Sequence, residues 1–223
     1  MTYTNTLNDA RVAAILARMF AEAEQDDAVY EHLEAERRSA EALEPMTDQE
    51  RADAWARLYL PISPEGGRLL YSLVRATRPA TVVEFGMSFG ISTLHLAAAV
   101  RDNGVGRVVT PEMSASKVAT ARKTFAEAGL DDLIMVLEGD ALETLPAHVG
   151  EGVGFVLLDG WKPLYLPVLH LLEPHLASGT LVIGDDADME SVKPYLEYVR
   201  DPANGYQSTL FPVEDGMEIS SRL

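Results

Sequence analysis

The 223-residue sequence predicts an α/β fold: a doubly wound sheet, mostly parallel, that closes with a C-terminal antiparallel hairpin and is preceded by helices. Three observations predict it. Short, nearly unbroken apolar runs alternate five times with helical stretches, as expected for parallel strands covered on both faces. Glycine and acidic residues gather where those runs end. Residues 1–60 show helical spacing and no strand, so they read as an N-terminal helical annex to a domain over residues 61–223.

In the annex, "DARVAAILARMFAEAEQ" and "AVYEHLEAERRSAEAL" place apolar residues three and four apart among Ala, Glu and Arg. "MTDQERADAWARLYL" opens on a capping pair, Thr47 with Glu50 three residues later. The domain begins with "SPEGGRLLYSLVRA", where Ser63 is the cap and Pro64 takes the first helical position. The strands are "TVVEF", "RVVTP", "LIMVLEG", "GFVLLD" and "TLVIGD". Helices lie between them, in "ISTLHLAAAVRD", "ASKVATARKTFAEAG", "ALETLPAHV" and "YLPVLHLLEPHL". After a last helix, "ESVKPYLEYVRD", the runs "YQSTLFPV" and "MEISSRL" form a hairpin around "EDG". The glycines and carboxylates put the working edge at the carboxyl ends of the strands.

Composition narrows the function. The chain has no cysteine, which excludes a disulfide framework and a thiolate zinc site. "MTYTNTLNDARVAAILARMF" has no basic leader, and no window approaches the roughly 20 apolar residues of a membrane span, so a cytoplasmic protein with no membrane partner is expected. A formal net charge of −17 repels phosphate backbones and argues against nucleic acid. Fourteen of the 18 basic residues are Arg; the four lysines, at 117, 123, 162 and 193, therefore stand out.

Four stretches carry candidate chemistry. In "VVEFGMSFGISTL", Glu84 ends a strand and a glycine turn leads into a helix near Ser92. Gly86 and Gly90 let backbone approach a ligand. The spacing is G-x-x-x-G where a dinucleotide site has G-x-G-x-x-G, and Glu84 suits a ligand with an amino group. Glu112, ending the second strand, stands where α/β nucleotide sites hold ribose hydroxyls. In "LEGDALE", Asp140 reads as a helix cap. Finally, "LLDGWKPLY" and "IGDDAD" bring Asp159, Asp185 and Asp186 to the ends of two neighbouring strands. Strands about 4.8 Å apart let three carboxylates converge on one hard cation, Mg²⁺ first. Helix capping by Asp186 and Asp188 is the alternative, and it leaves the other carboxylates unexplained. Lys162, three residues past Asp159, can reach the same spot.

These motifs together resemble the cation-dependent class I S-adenosylmethionine O-methyltransferases, and among them catechol O-methyltransferase. "FVLLDGWKPLYLPVLHLLEPHLASGTLVIGDDAD" is similar to that family's Leu-Asp-x-Trp-Lys-x-x-Tyr-Leu-Pro stretch followed by a strand ending Asp-Asn. With "EFGMSFGIS" and "VVTPE", the resemblance covers residues 60 to about 220. It implies a Rossmann-like fold and S-adenosylmethionine as methyl donor. The amino-acid end would lie near Ile62, Glu84, Gly86 and Ser92, the ribose at Glu112, and the adenine against Met113, Ala141 and Trp161. Asp159, Asp185 and Asp186 would hold the metal, and Lys162 would take a proton from the hydroxyl of a small phenolic or catechol-like substrate. The chain departs from the pattern at Asp186, where the family has Asn, at Gly160 and at Pro111. The hairpin "LFPVEDGMEIS" does not clearly supply the family's acidic substrate-positioning residue. A nicotinamide-dependent oxidoreductase and a non-catalytic binding homologue remain as alternatives. Helical annexes often cover sites or form dimer contacts, so a homodimer is one expectation.

Overall fold

The computed structural model describes residues 5–39 and 46–223. In chain order the elements are α1 (Ala10–Ala23), α2 (Asp26–Ser39), α3 (Asp48–Ala54), α4 (Pro64–Thr77), β1 (Thr81–Phe85), α5 (Ile91–Asn103), β2 (Arg107–Glu112) and α6 (Ala115–Ala128). There follow β3 (Ile134–Glu138), α7 (Ala141–His148), β4 (Val153–Leu158), α8 (Tyr165–Leu172), β5 (Leu176–Gly184), α9 (Lys193–Arg200), β6 (Tyr206–Phe211) and β7 (Met217–Arg222). Each predicted element in the domain is present. The last residues of the second predicted annex helix, 40–43, lie outside the described residues.

The seven strands form one sheet in the order β3-β2-β1-β4-β5-β7-β6. The first five pair in parallel, and β7 joins β5 antiparallel with β6 at the edge. Successive side chains on a strand point to opposite faces, and here both faces are apolar. Val82, Val108, Phe155, Leu157 and Ile183 face one core. Val83, Val109, Val156, Leu158 and Val182 face the other. The first core is closed by α1, α4, α5 and α6, the second by α7, α8 and α9.

The annex joins this body by ordinary amphipathic packing. Val12, Ile15, Leu16 and Met19 line one face of α1 and enter the first core. Arg18 makes a two-pronged ion pair with Glu127 on α6, at 3.1 and 2.9 Å. The predicted capping box at Thr47 and Glu50 starts α3. At the start of α2, the Asp26 carboxylate accepts from the backbone amides of Tyr59 and Leu60, at 2.9 and 2.7 Å, and pins the loop before α4. Among the described residues no helix is long and apolar enough to cross a membrane.

The chain runs outward from β1 to β2 and β3, then returns to place β4 on the other side of β1. Connections leave the two sides of β1 in opposite directions, which opens a crevice at the carboxyl ends of β1 and β4.

Candidate functional site

A cleft of about 820 Å³ occupies that crevice. Its acidic floor follows from strand register. Leu158 of β4 pairs with Gly184 of β5, so the next residues, Asp159 and Asp185, emerge side by side. The Asp159 amide donates to Phe85 O at 2.8 Å and the Asp185 amide to Leu158 O at 3.0 Å, which fixes both backbones. Gly86 has φ +112°, and a Cβ there would lie 2.4 Å from the Asp159 carbonyl carbon, so glycine lets the turn after β1 pass against Asp159. At Gly160 a side chain would strike the Phe85 ring at 2.6 Å, which accounts for the small residue at that position.

The carboxylate oxygens of Asp159, Asp185 and Asp186 lie within 4.8 Å of one another. Asp186 adopts φ +53°, a left-handed conformation that Asp and Asn tolerate better than most residues. The capping alternative is not realised, because the short turn Glu190–Val192 has Met189 at its cap position and no side-chain cap bond. Lys162 Nζ sits 2.5 Å from Asp186 Oδ2 and 3.4 Å from Asp159 Oδ1, and donates to Tyr165 Oη at 2.9 Å.

Asp159 and Asp186 pair with one ammonium, Lys162, beside the buried Asp185. Burial pushes the Asp185 carboxyl up to about 7, with the neighbouring Asp186 charge adding to it. Burial also raises Asp159 well above the usual carboxylate range, against the pull of Lys162. For Lys162, burial works to lower the pKa, but Asp159 and Asp186 outweigh it and the ammonium is held above its ordinary value. An all-oxygen cluster carrying excess negative charge in a desolvated cleft floor fits a hard divalent cation.

The sign of the Asp185 shift gives a stability prediction. Folded, its carboxyl binds a proton that the unfolded chain releases near pH 4. Stability from this group is therefore fullest at low pH and is lost as pH rises toward about 7. Without divalent cation, the melting temperature should fall as pH rises from about 4 to about 7. Asp185→Asn should flatten that slope, and an unchanged slope in scanning calorimetry would locate the titration elsewhere.

At the other end of the cleft, Glu112 closes β2 and accepts from the Ser88 amide at 2.9 Å and the Ser114 amide at 2.8 Å. It therefore ties the turn after β1 to the turn after β2. Met113, Ala141 and Trp161 line the same cleft. Ile62, Gly86 and Ser92 border a smaller adjoining hollow, and Asp159 borders both. Asp140 caps α7, accepting from Leu142 N at 2.8 Å, as expected.

Glu84 is placed differently. It stands inside β1, fully buried, and accepts from Thr93 Oγ1 of α5 at 2.5 Å. Burial raises its carboxyl pKa, opposed by the hydroxyls of Ser92, Thr93 and Thr110. It lines neither the cleft nor the hollow and acts as a peg between strand and helix. Its other carboxylate oxygen, Oε1, is buried with no hydrogen-bond partner among the described residues.

The structure adds residues that sequence reasoning did not single out. From α3 and its flanks, Met46, Arg51, Ala52 and Trp55 roof the cleft. Trp55 packs on Trp161 with ring centres 4.9 Å apart, and the Arg51 guanidinium lies 5.2 Å over the Trp161 ring. Glu214 and Asp215, at the tip of the β6–β7 hairpin, reach the cleft, so the hairpin does bring acidic residues to it. Ser88 and Lys117 also line the wall. For Lys117 the available signal was its rarity as a lysine.

Comparison with known proteins places this geometry. A family profile described as a methyltransferase domain matches residues 83–187. Catechol O-methyltransferase B of Danio rerio is 33% identical over 179 residues, covering 74% of this chain and 66% of that protein. Catechol O-methyltransferase of Niastella koreensis is 28% identical over 151 residues, 63% of this chain and 67% of that protein. The chain thus spans about two thirds of the length of these curated relatives. Among solved structures, an O-methyltransferase from Bacillus cereus in complex with SAH aligns with TM-score 0.65 at 20% identity, covering 92% of this chain and all (100%) of that one. The O-methyltransferase TomG from Streptomyces achromogenes, in complex with SAM, aligns with TM-score 0.65 at 23% identity over 82% of this chain and 93% of that one. At such identities the structural likeness shows a shared fold.

Proposed function

The chain belongs to the class I O-methyltransferases, and from that membership we propose that it moves a methyl group from S-adenosylmethionine to a hydroxyl of a small catechol-like or phenolic substrate. The observation that carries the acceptor side of this reading is the floor of the cleft. Three carboxylates lie within 4.8 Å of one another, with Lys162 2.5 Å from one of them. The family membership favours this reading over the nicotinamide alternative.

The donor would lie along the cleft, its ribose held by Glu112, its adenine by Met113, Ala141 and Trp161, and its amino-acid end near Ile62, Glu84, Gly86 and Ser92. Asp159, Asp185 and Asp186 would hold a divalent cation, with Mg²⁺ the first choice for an all-carboxylate set. When bound, such a cation would lower the pKa of a coordinated hydroxyl, stabilise its oxyanion and oppose the carboxylate field that keeps Lys162 charged. Lys162 accepts the hydroxyl proton at Nζ, held in position by Asp186, Asp159 and Tyr165. The roof of Trp55, Ala52 and Arg51 limits water at the reacting centre.

The test is a turnover screen of catechols and other phenols with S-adenosylmethionine, with and without Mg²⁺, read by mass spectrometry. A mass gain of one methyl group on a substrate with vicinal oxygens is expected, and no product from any phenol would overturn the reading. Glu112→Ala should weaken S-adenosylmethionine binding by about 1–3 kcal/mol in calorimetric titration, the cost of lost charged hydrogen bonds. Unchanged affinity would remove Glu112 from the ribose site.

A further inference from the structure

Lys117 lies in the first turn of α6 and is 5% exposed. Its ammonium passes 5.4 Å from the centre of the Phe89 ring and reaches the cleft wall. Among the described residues it meets one hydrogen-bond acceptor, Ser88 Oγ at 3.0 Å. That hydroxyl spends its own hydrogen on the Tyr59 carbonyl at 2.6 Å, so toward the lysine it accepts. An ammonium has three N–H donors, which leaves two with no protein acceptor among the described residues. Burial works to lower the pKa of this lysine, while Glu112 and Asp26 draw it up.

A buried cation with open donors is costly unless something in the cleft supplies acceptors. Near it on the cleft wall stands Glu112, whose two oxygens each accept from one backbone amide and retain further acceptor capacity. A carboxylate can only accept and an ammonium can only donate, whereas each hydroxyl of a vicinal diol does both. A phosphate in the same place would be repelled by Glu112.

We propose that Lys117 is a second ribose-binding residue, donating from Nζ to a ribose oxygen of the methyl donor while Glu112 accepts from a ribose hydroxyl. The proposal rests on the S-adenosylmethionine reading above and deepens it. Donor and acceptor together recognise the diol where either alone would satisfy half of it.

The experiment is calorimetric titration of the full chain with four ligands. They are S-adenosylhomocysteine, its 2′-deoxy and 3′-deoxy counterparts, and 5′-methylthioadenosine, which lacks the amino-acid carboxylate. Wild type, Lys117→Met and Lys117→Gln are compared, with melting curves to verify folding. Lys117→Met should weaken S-adenosylhomocysteine roughly 10- to 100-fold, and Lys117→Gln, which keeps a donor, should lose less. The loss should nearly vanish against the deoxy ligand that lacks the oxygen held by the lysine, because interactions through a shared partner are not additive. It should persist with methylthioadenosine. Equal losses on S-adenosylhomocysteine and both deoxy ligands overturn the proposal. So does a loss that disappears with methylthioadenosine, which would assign the lysine to the carboxylate end. If Lys117→Met does not fold, Lys117→Gln carries the same comparison; failure of both to fold assigns the lysine to stability and overturns the proposal. No heat from wild type with S-adenosylhomocysteine overturns the methyl-donor reading itself, a result distinct from wild-type binding with equal losses.

Discussion

Lys162→Arg is expected to lower kcat by roughly 10²–10⁴-fold, the range for a lost general base. The substitution keeps the positive charge beside Asp159 and Asp186 but removes the capacity to be neutral, because a guanidinium does not release its proton at working pH. Charge conservation matters here. Asp159, Asp185 and Asp186 converge with Lys162 as their cation, and an alanine would leave them unbalanced as well as removing a base. Affinity for S-adenosylmethionine, measured by calorimetry, should change little, so the loss should appear in kcat. Near-normal kcat for Lys162→Arg at neutral pH would leave the lysine as a structural counter-ion of the carboxylates.

Exhaustive removal of divalent cations should abolish turnover, and Mg²⁺ should restore it. A second readout does not depend on activity. Above about pH 7, Mg²⁺ should raise the melting temperature, because a bound cation relieves the mutual repulsion of desolvated carboxylates and favours the folded state. Asp159→Asn and Asp185→Asn should each reduce that rise. Asp186→Asn should retain more of it, since Asn also accepts the left-handed backbone found there and still offers an oxygen. Full activity after chelation, or a Mg²⁺-induced rise that survives loss of two of the three carboxylates, would overturn the metal assignment.

The sheet was legible because burial on both faces leaves unbroken apolar runs, and those runs became β1 to β5. The three aspartates were legible because β4 and β5 are neighbours in register, so residues just past their ends must meet. Glu84 was legible as a carboxylate near the end of β1, but the face it occupies was not. Val82 faces the first core, and two residues on, Glu84 faces the same side, toward α5. The roof was not legible, because Trp55 and Trp161 are brought together by packing between segments far apart in sequence. The hairpin's acidic tip was also hidden. It reaches the cleft because the Ala187 and Asp188 amides donate to Gly216 O and Asp215 O, at 2.9 and 3.1 Å, and tie it to the loop carrying Asp186. Neither bond has a local sequence signal.

The tilted tryptophan pair at the cleft gives the protein an optical property. The chain holds two tryptophans, and they are the two whose rings lie 4.9 Å apart on the cleft wall. Light absorbed selectively by indole therefore excites chromophores at one location, and emission from them carries no background from the rest of the chain. An adenine ring stacking near Trp161, or a displacement of the roof that parts Trp55 from it, would alter colour and intensity together. Ligand arrival can thus be followed in real time without a label, and single replacements of Trp55 and Trp161 by Phe would separate closing of the roof from occupation of the cleft beneath it.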